Sequence, residues 1–383
     1  MPAVVIDLKQ AEDLRDVVHR TVEALSAGKV VAVPTETVYG LIASALHPSA
    51  VERVFEIKGR SPDKPLAIAT KSLEDAMDYV PDMSSLARRI ARRSWPGPIT
   101  IVHSAQHPDS VIHRLDNVVK AATIPSGKIG MRVPAHELTL QIMRLCAGPI
   151  VMTSANRSGG PNPQNAEQVV QSIGDSTDIV LDDGPCDVGT PSSVIEVNGN
   201  QVHVLRQGGV DPAALQRLTN FIGLIVCTGN TCRSPMGEAI FQELVAKRLG
   251  CATDELPQRG IQIISAGIAA MPGATATQQA VDVMRRHGIE IADHSSQPMT
   301  GRMGQFADLI LTMTNGHRRA IIEHWPMFEP RTKTLRRDGG DISDPIGSPF
   351  EVYDACANQI RENLEAWVDE IDWSQFENQN PDS

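Results

Sequence analysis

"GLIVCTGNTCRSPMGEAI", residues 223–240, runs from four mostly apolar residues through a polar turn into an amphipathic stretch. "GLIV" reads as a short buried strand. Residues 235–249 read as a helix, with Ser234 as its N-cap and Pro235 at its first position. Between them lies C-x5-R-S, with Cys227 and Arg233 at its ends. A loop entering a helix N-terminus presents unpaired backbone N–H groups and the positive end of the helix dipole, which suits an anion. Gly229 and Asn230 tolerate the backbone angles that such a loop needs. The same surroundings favour the thiolate form of Cys227. Arg233 can clamp two phosphoryl oxygens, and Ser234 can hydrogen-bond the sulfur.

Cys227 and Cys232 admit three readings: a disulfide, half a metal site, or a nucleophile with a bystander. The six cysteines (146, 186, 227, 232, 251 and 356) are scattered along the chain, which suits a reducing cytoplasm rather than a disulfide framework. No second cysteine pair or nearby histidine pair completes a zinc site, so no metal is expected. For Cys232, space-filling and a reversible disulfide with Cys227 both stay open.

Working outward, "IQIIS" reads as a strand, 275–287 as a helix closed by Gly288, "ADLILTM" as a strand and 351–371 as the final helix. Strands alternating with helices predict a parallel sheet in an α/β layer fold. An earlier rhythm precedes it. Residues 11–27 put Leu14, Val17, Val18, Val22 and Leu25 on one helical face, and "VVAVP" reads as a buried strand. Residues 49–58 look helical, 66–70 extended and 84–93 helical with a basic face. Residues 149–165 run from a strand into a Ser/Gly/Pro/Asn loop. The boundary falls between Gly209 and Phe221, giving domains at 1–215 and 221–373, and the polar tail "SQFENQNPDS" is expected to fray.

Composition limits the function. Of 383 residues, 41% are hydrophobic but only 4% aromatic, so the cores should be aliphatic. No run of about 18 apolar residues predicts a membrane span, and the start "MPAVVIDLKQAEDLRD" does not resemble a signal peptide. The net charge of −11 divides into −3 up to Asn220 and −8 beyond it, so neither part is a basic nucleic-acid-binding domain. Arg88, Arg89, Arg92 and Arg93 in "LARRIARRSW" read as a solvated face rather than an RNA contact.

A phosphatase also needs a proton donor for the leaving group. "DISDPIG" supplies Asp344, with Asp341 as the alternative. His294 and His317 read as structural, and His287 sits where a helix C-terminus favours a cation.

Residues 222–372 resemble the low-molecular-weight protein-tyrosine-phosphatase family, through "CTGNTCRSPMGEAI", "SAGIAA", "ADHSSQPM", "ADLILTMTNGHRRAI" and "SDPIG" in family order. The resemblance implies Cys227 as nucleophile, Arg233 as phosphate binder, Ser234 as thiolate stabiliser and Asp344 as general acid, then base. It implies a phosphocysteine intermediate and no cofactor. Thr231 stands where phosphotyrosine enzymes usually carry a branched aliphatic residue, and Ile346 and Gly347 stand where they often carry aromatics. Thr231, beside Asn230 in the loop, resembles the protein-arginine-phosphatase branch. Phosphoarginine in proteins is therefore the first expected substrate and phosphotyrosine the second.

Residues 10–210 resemble the YrdC-like threonylcarbamoyl-AMP synthase family, through "PTETVYGL", "KGRSPDKPL", "WPGPIT", "GMRVPAH", "SANRSG" and "GTPSSVIEV" followed by "VLRQGG". The resemblance implies a twisted, open α/β fold. It implies condensation of L-threonine, bicarbonate and ATP into threonylcarbamoyl-adenylate, with magnesium accompanying the nucleotide and a separate complex transferring the group to tRNA. It puts Thr37, Arg132 and Ser192 near threonine, and Lys58, Arg60, Lys64, Ser154, Asn156 and Arg206 around ATP. It also carries an expectation of double-stranded RNA binding. Three departures stand out: Ala69 where the family commonly has histidine, Ile42 for glycine and Gln207 for proline. The alternative is a phosphotyrosine phosphatase joined to a catalytically inactive nucleotide- or RNA-binding module.

Overall fold

Period-two alternation sends neighbouring strand residues to opposite faces. Ala32, Leu41 and Ala43 enter one apolar layer with Ile68 and Val151. Val31, Val33 and Ile42 enter another with Val17, Val18 and Leu138. A sheet covered on both faces needs near-continuous apolar strands, which "VVAV" supplies. The structure, a computed structural model, describes residues 2–377, so residues 378–383 of the polar tail lie outside the described residues. The chain divides into two compact units, Met1–Leu218 and Thr219–Ser383.

The first unit is built on a mixed ten-stranded sheet. Its strands are Val4–Asp7 (β1), Val31–Val33 (β2), Gly40–Ser44 (β3), Ala67–Ala69 (β4), Ile99–Ser104 (β5), Lys128–Arg132 (β6), Ile150–Ser154 (β7), Ile179–Asp182 (β8), Ser193–Asn198 (β9) and Gln201–Arg206 (β10). Their order is β1-β8-β2-β3-β7-β4-β6-β5-β9-β10. Helices Leu14–Ser26 and Glu137–Leu145 supply Val17, Val18, Leu138 and Ile142 to one apolar layer. Leu14 does not join them; it is 47% exposed. The basic face expected over 84–93 is not solvated throughout. Arg89 and Arg93, on helix Ser85–Ser94, are buried, and Arg93 donates to the carbonyl of Leu218. An i, i+4 arginine pair on an amphipathic helix reads as surface from its charge, yet tertiary packing decides burial.

The second unit has a four-stranded, wholly parallel sheet, ordered β12-β11-β13-β14, from Phe221–Cys227 (β11), Ile261–Gly267 (β12), Leu309–Thr312 (β13) and Thr332–Thr334 (β14). Both architectures agree with the fold class expected. On β11, Ile225 and Cys227 face Met236, Ile240 and Ile360, while Leu224 and Val226 face Ile310 and Ile321. Cys227 thus ends an inner strand on the side covered by helices Arg233–Leu249 and Phe350–Glu370. The carboxyl ends of parallel strands are where such sheets bind ligands. Two local expectations are corrected. Cys232, not Ser234, is the N-cap of helix Arg233–Leu249. Helix Phe350–Glu370 is not the last, since Ser374–Glu377 is helical and Phe376 is buried. Among the described residues no helix is long and apolar enough to cross a membrane.

Candidate functional site

In the second unit, eight consecutive residues, Cys227 to Ser234, make the centre of the candidate site. Cys227 Sγ lies 3.0 Å from Ser234 Oγ and accepts the backbone N–H of Asn230 at 3.3 Å. Ser234 sits in the first helical turn, so its hydroxyl is spent on the sulfur rather than on capping. Asn230 has φ +56°, the one described non-glycine residue in the left-handed region. Asparagine tolerates that conformation, and here its surroundings hold it there. Its Nδ2 donates to Ser234 Oγ at 2.9 Å and Ser265 Oγ at 2.8 Å. Its Oδ1 accepts from Gln297 N, and its carbonyl lies 2.8 Å from His294 Nε2. Ser265 in turn donates to Glu238 Oε2 at 2.5 Å. Burial raises the Glu238 pKa, with the Ser265 hydrogen bond opposing the shift. Both serine oxygens accept from Asn230. Ser234 is thereby left to donate to sulfur and Ser265 to the carboxylate.

Arg233 is buried. One nitrogen donates to the Ile342 carbonyl at 3.0 Å, and another is 2.5 Å from Asp344 Oδ2. Asp344 is 45% exposed by side chain. Asp341, the alternative acid, is occupied elsewhere: its Oδ1 accepts from the backbone and side chain of Asn315. Thr231 is half-buried on the loop, its hydroxyl 3.7 Å from Cys232 Sγ. Cys232 packs between Thr277 and Tyr353 hydroxyls, each at 3.5 Å. All six cysteines are free thiols. His294 and His317 do more than fill space: the first holds Asn230, and the second lies 2.8 Å from the Thr228 hydroxyl. Reading by spacing missed Ser265, Glu238 and Gln297, although "SAGIAA", "PMGEAI" and "ADHSSQPM" contain them.

In the first unit a cavity of about 760 Å³ opens on the sheet, and Arg60, Lys64, Arg132, Ser154, Ser192 and Arg206 all line it. Burial lowers the pKa of Arg60 and of Arg206, and like charge adds to both: Arg206 acts on Arg60, and Arg132 on Arg206. Arg206 donates to the Ser192 carbonyl at 2.7 Å, and Ser192 shares a 2.9 Å hydrogen bond with Thr100. Arg132 is paired with Glu36 at 2.7 Å and donates to Thr37 Oγ1 at 2.8 Å.

Three of the nine residues expected in this pocket stand behind its wall. Thr37 is fully buried and holds Arg132. Lys58 is 2% exposed and turns inward, donating to the carbonyls of Ser154 (2.5 Å) and Asn156 (2.7 Å). Burial, with Arg60 as the smaller cause, lowers its pKa to about 7. Asn156 accepts from Lys58 and donates to Gly160. These residues fix the "SANRSG" loop, whose Ser154 does line the cavity. Ala69 is on the lining as well, whereas Ile42 is buried in the sheet's second apolar layer.

The chain matches two family models: Sua5_yciO_yrdC (Telomere recombination) over residues 23–208 and LMWPc (Low molecular weight phosphotyrosine protein phosphatase) over residues 223–376. It is 36% identical to the threonylcarbamoyl-AMP synthase of Pyrococcus abyssi, over 52% of this chain and 55% of that protein. It therefore spans about half the length of that relative. A putative threonylcarbamoyl-AMP synthase of Mycobacterium tuberculosis is 32% identical over 53% of this chain and 88% of its own length. The protein-arginine-phosphatase of Geobacillus stearothermophilus is 38% identical over 39% of this chain and 91% of its own. A solved structure of Pyrococcus abyssi Sua5 aligns with TM-score 0.50 and 25% identity, covering 70% of this chain and 91% of that one. The chain thus belongs to the Sua5/YrdC family through its first unit and to the low-molecular-weight protein phosphatase family through its second.

Proposed function

We propose that the chain is a bifunctional enzyme, a threonylcarbamoyl-AMP synthase in its first unit and a phosphoarginine phosphatase in its second. The phosphatase half is carried by one observation: Cys227, Ser234, Arg233 and Asp344 converge on the mouth of one loop. The thiolate attacks phosphorus, the P–N bond breaks, and Asp344 protonates the departing guanidine nitrogen. Arg233 exchanges Asp344 for the phosphoryl oxygens. Water then attacks the phosphocysteine, Asp344 takes its proton, and the S–P bond breaks to return the thiolate. Phosphoarginine is favoured over phosphotyrosine by the hydroxyl at Thr231 and by Ile346, which is 65% exposed where a stacking aromatic would serve a phenol. The Geobacillus relative's name agrees with this choice, while the family's name points to phosphotyrosine.

In the synthase half, crowded arginines await an anion that relieves their repulsion. Arg60, Lys64, Arg206 and Ser154 would hold the ATP phosphates, and Arg132 and Ser192 would hold threonine. Lys58, Asn156 and Thr37 would act as positioning residues. The threonine amine and bicarbonate give a carbamate and water; a carbamate oxygen attacks the α-phosphorus and pyrophosphate leaves. Among the described residues no three His, Cys, Asp or Glu side chains form a metal cage. Magnesium would arrive on the nucleotide and offset part of the phosphate charge. The product would pass to a separate complex acting on tRNA. Six free thiols favour the cytoplasm.

ATP- and threonine-dependent release of pyrophosphate, with saturating bicarbonate, tests the first half; no release favours the inactive-module alternative suggested by Ala69. Turnover of phosphoarginine and phosphotyrosine peptides tests the second, and a strong preference for phosphotyrosine overturns it. Thr231→Ile should move preference toward phosphotyrosine.

A further inference from the structure

His317 lies at the phosphate loop, yet the steps above give it no role. It is the third residue of helix Asn315–His324 and is 5% exposed. Its Nε2 is 2.8 Å from Thr228 Oγ1, and its Nδ1 is buried with no hydrogen-bond partner. Thr228 directly follows the nucleophile and is exposed. The start of the helix is tied to the loop that bears the acid, because Asn315 binds Asp341. Burial first, then the charge of Arg233, lowers the His317 pKa to about 4 against the opposing pull of Asp344 and Asp341. The imidazole is therefore neutral under working conditions, with one N–H donor and one bare nitrogen.

The orphan decides the tautomer. A buried N–H without an acceptor is rarer and costlier than a buried lone pair without a donor. The proton therefore sits on Nε2 and is donated to Thr228 Oγ1. That occupies one lone pair of the hydroxyl and turns its own proton and second lone pair away from the helix, toward the exposed side.

We propose that His317 is a positioning residue that orients the Thr228 hydroxyl to accept an N–H from the guanidino group of phosphoarginine. A phenyl ring offers no such donor, so the contact separates the two substrates at a point distinct from Thr231. This rests on the phosphoarginine reading above.

The test uses the full chain and matched phosphoarginine and phosphotyrosine peptides. Thr228→Val and His317→Phe should lower the ratio of kcat/KM, arginine over tyrosine, by about tenfold or more, the worth of one hydrogen bond to a charged group. His317→Gln, which keeps an N–H donor, should recover most of that ratio. Equal losses on both substrates overturn the proposal and leave the phosphoarginine reading standing. A wild-type chain inert toward phosphoarginine overturns both. Nitrogen-15 imidazole resonances of the unaltered protein give a readout independent of activity. They should show His317 neutral and protonated on Nε2 between about pH 8 and about pH 5. The opposite tautomer overturns the proposal.

Discussion

The loop at Cys227 and the cavity of the first unit, both proposed above as anion sites, are built in opposite ways. Cys227 to Arg233 are consecutive, and one strand, one turn and one helix place them. The cavity gathers Arg60, Arg132, Ser154, Ser192 and Arg206 from segments up to 146 positions apart in the chain. A contiguous site concentrates its chemistry in a few atoms and should break sharply at single positions. A dispersed site spreads the same charge over many side chains and should lose function gradually. The largest expected effect tests this directly. Cys227→Ser removes the sulfur nucleophile of the proposed mechanism and should lower phosphatase turnover by more than about 10⁴-fold. Pyrophosphate release assayed on the same preparation should continue, and its loss would break the contrast between two self-contained sites.

Backbone crowding gives the next effect. A Cβ on Gly267 would meet the Thr228 carbonyl oxygen at 2.4 Å and the Asn230 nitrogen at 3.0 Å. Gly267→Ala must push the phosphate loop aside, and displacement of a reacting group by about 1 Å costs about 10²-fold. Gly208 makes the mirror case, since its Cβ would meet the Pro191 carbonyl oxygen at 2.3 Å beside Ser192. Gly208→Ala should lower pyrophosphate release by only about tenfold, because the other cavity cations stay in place. Equal losses in kcat/KM would remove the distinction.

This difference also explains what sequence could tell. The strand, turn and helix around Cys227 were legible because local spacing fixes them, whereas the residues that frame the cavity came only from the family resemblance. The role of Lys58 was not. The family resemblance puts Lys58 of "KGRSPDK" among the phosphate ligands, but its side-chain nitrogen turns away to two backbone carbonyls nearly 100 positions distant in the chain. No periodicity encodes that choice; it depends on how the loop after Ser154 closes. Ser234 was mistaken for a cap for a related reason. Capping is a local preference, and the nearby sulfur and Asn230 offered its hydroxyl stronger partners. Arg89 and Arg93 show the same limit, as charged residues whose burial only the tertiary fold reveals.

Lys58 yields a smaller, pH-dependent effect. Lys58→Met strands buried carbonyl oxygens and should destabilise the first unit by about 2 kcal/mol. Trp95 is the only tryptophan before Asn220 and reports on that unit's unfolding by fluorescence. The folded pKa of about 7 lies below the ordinary 10.5. Between those values the unfolded chain binds a proton that the folded chain does not, so stability rises with pH across that window. Below about pH 7 both states are protonated and the burial penalty stands in full. The variant should lose this rise. A rise that persists in Lys58→Met would assign it to another group.

The smallest effect belongs to the rim of the cavity. Lys128 Nζ and Glu196 Oε1 are 2.6 Å apart, and both residues line the cavity. The lysine side chain is 49% exposed. An exposed pair contributes at most about 1 kcal/mol and less in salt. Lys128→Ala should therefore raise the KM for ATP by no more than about fivefold, leave kcat unchanged and lose even that effect as ionic strength rises. Arg60 is half-buried, where solvent screens it less, so its alanine variant should cost more and depend less on salt. If Lys128→Ala instead abolished pyrophosphate release, the cavity would have a single indispensable cation, and its tolerance would resemble that of the phosphate loop.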